Sequence, residues 1–399
     1  MSERIGLWLV GACGGVATTV SVGLAALRKG LTDSTGLVTA LPMFQSLPLV
    51  DWNDVVIGGH EIRQTDLLTE AVKLSRDSRV IDRETIIACE ADLASFQKNI
   101  RPGVLHSCGP TIEKLADCPR SQKTVHHSAQ ACVDQISADL QQFAQTNSLT
   151  RVIVVNIAST EPAPDLSQLP ETWPALAETL ERSECVLTSS SLYAIAAIEN
   201  GFPFVNFTPS VGGDLPAIEQ LAIERKVCQA GKDGKTGETF LKSVLAPAFK
   251  QRNLEIMSWV GHNIFGNMDG LVLDDPVNKE TKVRSKDQLL GQMLGYQPQS
   301  HISIEYIKSL GDWKTAWDHI HFRGFLNTPM TLQFTWQGCD SILAAPLVLD
   351  LFRLTDLAAQ RGEVGTLTWL ASFFKSPQGT DVNEFAKQFQ MLNDWCGNR

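Results

Sequence analysis

The chain has no basic block, no paired cysteines and no internal repeat, and each absence removes a class of protein. Lysine and arginine number 34 against 44 aspartates and glutamates, giving a formal charge of −10. A nucleic-acid backbone or an anionic membrane demands a cationic face, so neither is expected as the main partner. An acidic chain still holds a small anionic metabolite where its lysines converge. Nine cysteines (13, 89, 108, 118, 132, 185, 228, 339 and 396) form no Cys-x-x-Cys pair and no even framework. In a chain of this size they read as reduced, scattered thiols in a cytoplasmic protein. No solenoid-length repeat or low-complexity tract appears.

Charge is also missing from Ile5 to Leu27, a length that invites a membrane span or a signal sequence. Against that, four glycines fall between positions 6 and 15, and the strongest apolar run is only Leu7–Val10. No Ala-x-Ala cleavage site with a polar start behind it is evident. Strand, turn and buried helix is the better parse. The remaining composition, 43% hydrophobic and 20% charged over 399 residues, is that of a globular chain with ample core. It allows two or three domains, or one large domain carrying an insertion.

The stretch richest in chemistry runs from Gly231 to Lys286. It opens with Gly-Lys-Asp-Gly-Lys-Thr-Gly-Glu-Thr (231–239), continues as a helical phrase, Phe240–Phe249, and crosses an apolar run, Leu254–Val260. A turn through Gly261–Gly270 follows, then Arg284-Ser-Lys286. A Gly, Thr and Lys loop ahead of a helix offers backbone N–H groups, hydroxyls and an ammonium to an anion. The other reading is a pair of surface turns with solvated charges. The Gly-x-x-x-x-Gly-Lys-Ser/Thr phosphate loop does not fit, because Gly231 and Gly234 lie too close to Lys235-Thr236.

At the N-terminus, Ile5–Val10 reads as a strand, Gly11-Ala-Cys-Gly-Gly15 as a turn and Val16–Leu27 as a helix. This is the opening unit of a dinucleotide-binding fold, in which glycines admit a pyrophosphate to the helix N-terminus. The Gly-x-x-Gly-Gly spacing equally suits a turn that merely packs helix on strand. Asp33 comes too early to close the next strand on a ribose. Glu61, after Asp54–Ile57 and Gly58-Gly-His, is the candidate ribose ligand, with a solvated carboxylate as the alternative. A helix, Thr65–Ser75, comes next. Residues 81–130 carry no readable chemistry, and His126-His127 lack companion metal ligands. Val133–Gln145 is helical. Arg151–Ile157 is a buried strand, ending on the small and polar residues that bind ligands at the carboxyl ends of parallel strands. Leu192–Glu199 is helical and Pro203–Phe207 a strand. Strands are expected at His301–Ile307, Trp317–Phe325 and Met330–Trp336, with a turn at Gly311–Lys314 and a helix at Ser341–Leu354. Leu367–Phe374 leads to Lys375. His319 and His321 share a strand face, but no third ligand accompanies them and no metal is expected.

Seven ordered segments resemble the myo-inositol-1-phosphate synthase family over nearly the whole chain. They are LWLVGACGG (7–15), SLPLVDWNDVVIGGHEIR (46–63), RVIVVNIASTE (151–161) and GKDGKTGETFLKSVLAPAF (231–249), then GHNIFGNMDG (261–270), VRSKD (283–287) and YIKSLGDWKTAWD (306–318). The resemblance implies an α/β fold: a Rossmann-type doubly wound parallel sheet from residues 1–238 and 322–399. A second α/β domain with a mixed sheet, 239–321, is inserted for catalysis and assembly into a homotetramer. It implies bound NAD and conversion of glucose 6-phosphate to an inositol monophosphate by oxidation at C5, enolisation, aldol closure and re-reduction. Lys286 then matches a catalytic lysine and Lys375 another, with Lys242, Lys308 and Lys314 in matching blocks and Asp318 near the nicotinamide. Thr236, Gly237, Glu238 and Thr239 would hold the phosphate, with Asn263, Asn267 and Asp269 lining the pocket. NAD would lie on Gly11, Ala12, Cys13, Gly14, Gly15, Val16, Glu61, Asn156, Ala158, Ser159, Thr160 and Asp269. Four positions depart from the family pattern: Glu305 and Leu290 stand at lysine positions, Met268 replaces an asparagine and Glu238 a glutamine. These leave open a related dehydrogenase or aldol enzyme on another sugar or polyol phosphate, and a non-catalytic NAD-binding sensor.

Overall fold

The computed structural model describes residues 3–182, 185–273 and 290–397. Its first sheet has seven strands: β1 (Ile5–Val10), β2 (Val55–Glu61), β3 (Ile100–Pro102), β4 (Arg151–Asn156), β5 (Phe204–Asn206), β6 (Cys228–Gly231) and β11 (Gly365–Thr366). They are ordered β11-β6-β5-β4-β1-β2-β3 and all pair in parallel. Parallel strands covered on both faces are apolar throughout, which is why Ile5–Val10 and Val152–Val155 lack alternation. On one face the helices Gly15–Lys29, Arg83–Gln97 and Asp340–Gln360 bury a common core, including Val20, Leu24, Leu93, Leu351 and Phe352. On the other, Ala129–Asn147, Ser189–Glu199 and Pro216–Arg225 bury Ile136, Leu192 and Leu221 with Trp8. The chain leaves β1 toward β2 and β3, then returns across β1 to β4. The order therefore reverses between β1 and β4, and their carboxyl ends open a crevice.

The second sheet contains β7 (Glu255–Phe265), β8 (Gln299–Tyr306), β9 (Trp313–Arg323) and β10 (Pro329–Cys339), ordered β10-β9-β7-β8. β7 and β8 are parallel and the other pairs antiparallel, so the sheet is mixed. One face is covered by the helix Gly237–Gln251, burying Ala246, Phe249, Trp259, Leu290 and Ile320. The expected turn over Gly261–Phe265 is the second half of β7. Its buried and exposed residues alternate, and β8 and β9 satisfy its backbone on both sides. Gly311–Lys314 likewise turns only as far as Asp312, since β9 begins at Trp313. The second sheet extends through the hairpin partner β10 to Cys339. The helix Asp340–Gln360 then carries the chain back to the first sheet, where β11 closes the edge beside β6.

Candidate active site

The first half of the site is the turn after β1. Gly11 and Ala12 N–H both donate to the His60 carbonyl at 2.9 Å, and Gly11 has φ +86°. A Cβ on Gly11 would lie 3.0 Å from the Ala158 Cα, so only glycine lets the β1 and β4 loops approach so closely. Gly14 caps the helix Gly15–Lys29 without any side-chain bond, leaving the first-turn N–H groups to the crevice. Gly15 is exposed, and Gly11, Gly14, Val16, Ala158 and Ser159 are half-buried. Bare backbone donors at a helix N-terminus, with no Cβ in the way, fit a pyrophosphate.

Glu61 stands beside this turn, yet its carboxylate is engaged by the protein itself. Oε2 accepts the Cys13 N–H at 3.0 Å. Oε1 accepts the Ile62 and Arg63 N–H groups at 2.9 and 3.0 Å and the Arg63 Nε at 3.1 Å. The Arg63 guanidinium also donates to the Cys13 carbonyl at 2.8 Å. The ion pair thus clamps both polar atoms of the Cys13 backbone and fixes the turn. The Cys13 thiol is buried, and desolvation followed by the Glu61 charge pushes its pKa far up, so it is a packing group. Asn156 and Thr160 lie buried beneath the crevice. Asn156 donates to Asn206 and Thr208 at 3.1 and 3.2 Å and accepts the Ala158 N–H at 3.3 Å, tying the loops after β4 and β5 together.

The second half lies between the helix Gly237–Gln251 and the second sheet. Lys242 Nζ is 2.5 Å from Glu238 Oε1 and 4.0 Å from Asp318 Oδ1. It sits over the Trp259 ring at 5.6 Å, and the indole N–H donates to Asp318 at 2.6 Å. Lys242, Glu238 and Asp318 are all at most 3% exposed. Gly261 pairs with Asp318, and the next matching row joins Asn263, Ala316 and Trp336 across β7, β9 and β10. Paired residues share a sheet face, so Asn263 and Trp336 flank the small Ala316 on the face bearing Asp318. Both polar atoms of the Asn263 side chain and the Trp336 Nε1 are buried without a hydrogen-bond partner among the described residues. One row further, Lys314 lies half-buried over the Phe265 ring at 5.0 Å.

Thr236 and Gly237 begin the helix. Gly237 has φ +53°, and a Cβ there would lie 2.9 Å from the Trp336 Nε1. Thr239 is buried in the first turn. The loop before it pairs with the C-terminal segment: Lys235 N–H donates to Phe373 O at 2.7 Å and Lys375 N–H to Asp233 O at 2.6 Å. Lys375 Nζ donates to Asp233 Oδ1 at 2.7 Å. Lys235 is the member that sequence reasoning missed. It is 6% exposed, donates to Gln388 of the helix Phe385–Gly397, and is drawn from 10.5 down to about 7 by burial and then by the Lys375 charge. Its only signal was its place between Asp233 and the Thr-Gly-Glu-Thr turn.

Other expected residues lie elsewhere. Asn267 accepts the Gly270 N–H at 3.0 Å and donates to Asp312 and Asp340 at 3.3 Å. Asp312 is close to Gly15, since a Cβ there would lie 3.7 Å from its Oδ1, so Asn267 belongs beside the glycine turn. Lys308 is exposed. Glu305 pairs with Ile264 and is exposed on the opposite sheet face, Leu290 is fully buried among apolar side chains, and Met268 is 39% exposed. Lys286 and the side chain of Asp269 lie outside the described residues. Among the described residues no cluster of three or more His, Cys, Asp or Glu side chains could hold a metal.

A glycine turn at the switch point of a parallel sheet, with a buried charged group between a helix and a mixed sheet, defines a Rossmann-type dinucleotide-dependent α/β protein. The chain belongs to the myo-inositol-1-phosphate synthase family, whose NAD-binding family model matches residues 5–396. It is 34% identical to inositol-3-phosphate synthase 1 of Bacteroides thetaiotaomicron, over 94% of this chain and 89% of that one. It is 28% identical to inositol-3-phosphate synthase isozyme 1 of Arabidopsis thaliana, over 98% and 84%. The crystal structure of inositol-3-phosphate synthase from Caenorhabditis elegans shares the fold with a TM-score of 0.88 at 24% identity, covering 99% of this chain and 86% of that one.

Proposed function

We propose that the protein converts D-glucose 6-phosphate to 1D-myo-inositol 3-phosphate, with NAD bound and no net redox change. The observation that carries this reading is the buried group of Lys242, Asp318, Asn263 and Trp336, next to the Thr236–Thr239 turn. Bound NAD supplies the reversible oxidation at C5. The turns at Gly11–Gly15 and Ala158–Ser159 hold the dinucleotide, with Glu61 and Arg63 keeping the first turn in shape. Thr236, Gly237 and Thr239 take the substrate phosphate at the helix N-terminus. Enolisation and aldol closure each place negative charge on an oxygen, and ammonium groups in a dry pocket stabilise it. Lys375, oriented by Asp233, and Lys286 are assigned the proton transfers, and Lys242 balances the charge.

Incubation with glucose 6-phosphate and NAD should yield a periodate-sensitive inositol phosphate without accumulating NADH. Sugar consumption matched by NADH build-up would exclude the redox-neutral cycle. The residues at two family lysine positions favour one other reading. With Leu290 in the apolar core and Glu305 on the far face, that reading is a related NAD enzyme acting on another sugar or polyol phosphate; steady NADH formation on such a compound would support it.

We also infer a homotetramer in the cytoplasm. The outer face of the second sheet leaves Trp317 44% exposed beside the polar His262 and Glu305, and the hairpin after β9 exposes Phe325 and Leu326 at 89% and 80%. Apolar groups left in water at a sheet face and hairpin tip favour burial against a second copy. All nine cysteines are free, as a reducing compartment requires. Among the described residues no helix is long and apolar enough to cross a membrane. The inserted catalytic domain then runs from residue 239 to the end of β10.

A further inference from the structure

The family departure with the clearest structural consequence is Glu238. Its Oε1 lies 2.5 Å from Lys242 Nζ, with the two side chains 2% and 1% exposed. Gly261 makes room for this contact. A Cβ there would come within 3.0 Å of Glu238 Oε1, 3.2 Å of Asp318 Oδ1 and 3.6 Å of Lys242 Nζ. One row along the same face, the Asn263 amide and the Trp336 indole hold buried polar atoms with no hydrogen-bond partner among the described residues. The buried group thus combines an ammonium ion-paired with a neighbouring carboxylate, at a geometry that makes no hydrogen bond, with neutral groups that have no partner among the described residues. A buried ammonium needs an anion close by, and a glutamine at position 238 would leave that role to Asp318 and to whatever ligand enters.

We propose that Glu238 is a resident anion in the phosphate subsite: it holds Lys242 until a phosphorylated substrate arrives and displaces it. Glu238 therefore sets the affinity for the phosphate end of the substrate. The inference rests on the reading of this cleft as a sugar-phosphate pocket. A phosphate brings more charge and more acceptor oxygens than one carboxylate, so it can take Lys242 and also engage the unmatched donors. The work of displacing Glu238 is subtracted from binding and is read in KM.

Two variants test this. E238Q is isosteric and removes the resident charge; E238D keeps the charge. Binding of inorganic phosphate is followed by tryptophan fluorescence, since Trp259 and Trp336 flank the pocket, and KM for glucose 6-phosphate is measured alongside. E238Q is expected to bind phosphate about tenfold more tightly and to lower KM by a similar factor, the scale of one charge-assisted bond regained. E238D is expected to stay within about threefold of the parent protein. An E238Q protein with unchanged or weaker phosphate binding overturns the proposal, as does an E238D protein that gains as much as E238Q. The phosphate titration requires no turnover. Failure of the parent protein to make an inositol phosphate would therefore count against the proposed reaction and leave the Glu238 result legible.

Discussion

Replacing Lys235 by methionine and Gln388 by leucine together is expected to stabilise the protein in mild acid and to lose that advantage in alkali. Lys235 is 6% exposed, and burial, with Lys375 second, draws it from 10.5 to about 7. In the unfolded chain the amine stays protonated up to its ordinary range, whereas the folded chain releases the proton near neutrality. Between about 7 and 10.5 the unfolded state binds more protons, so this group makes stability rise with pH across that window. Below it both states are charged and the full penalty applies. At about 1.4 kcal/mol per pH unit, the interval from 10.5 to 7 amounts to roughly 5 kcal/mol. Losing the bond to Gln388 offsets about 1.5–3 kcal/mol of the gain, and losing the Gln388 amide's bond to the Val382 carbonyl offsets about 1 kcal/mol more. The net gain at pH 6 is then roughly 1–2.5 kcal/mol. An unfolding entropy of about 2.1 cal/mol/K per residue converts this to a rise in Tm of about 2 °C for a chain of 399 residues. Thermal melts of parent and double variant at pH 6, 8 and 9.5 measure it. A difference independent of pH, or destabilisation at pH 6, would refute the reasoning.

Three further outcomes are expected. Gly11→Ala puts a Cβ 3.0 Å from Ala158 at φ +86°, so calorimetry should show NAD affinity reduced by at least about tenfold; parent-like affinity would remove the turn from the cofactor site. Lys242→Met takes the ammonium away from the buried Glu238 and Asp318 and should cost about 3–5 kcal/mol in urea unfolding, with K242M/E238Q recovering part of it. A loss near zero would mean the pair does not carry full charges. Lys375→Met should lower turnover by at least about 100-fold while NAD binding persists, and full turnover would take Lys375 out of the chemistry.

Much of the first sheet was legible because parallel strands buried on both faces leave unbroken apolar runs, as in Ile5–Val10 and Arg151–Asn156. The glycine turn was legible from composition. The strands β3, β6 and β11 span three, four and two residues, and only their neighbours make them strands. Gly261–Phe265 read as a turn because glycine, histidine and asparagine favour turns in isolation. Two flanking strands override that preference by supplying a partner for every backbone group. Glu61 was singled out as a ribose ligand from its place after a strand, but its bond to the Cys13 N–H depends on a loop 48 residues away in sequence.

By itself the sequence determined the family, the glycine turn after the first strand and the order of the segments, since motifs and apolar periodicity are local properties of the chain. Tertiary structure decided which charges meet. Glu238 and Lys242 are one helical turn apart, but Asp318 joins them only through the register of β7 with β9. That register also sends Lys314 to the inner face, while the pairing of β8 with β7 leaves Glu305 outside. A shift of one residue would exchange the two faces, because side chains alternate along a strand. The electrostatics of the cleft follow from distance and burial, and neither is written in any single stretch of residues.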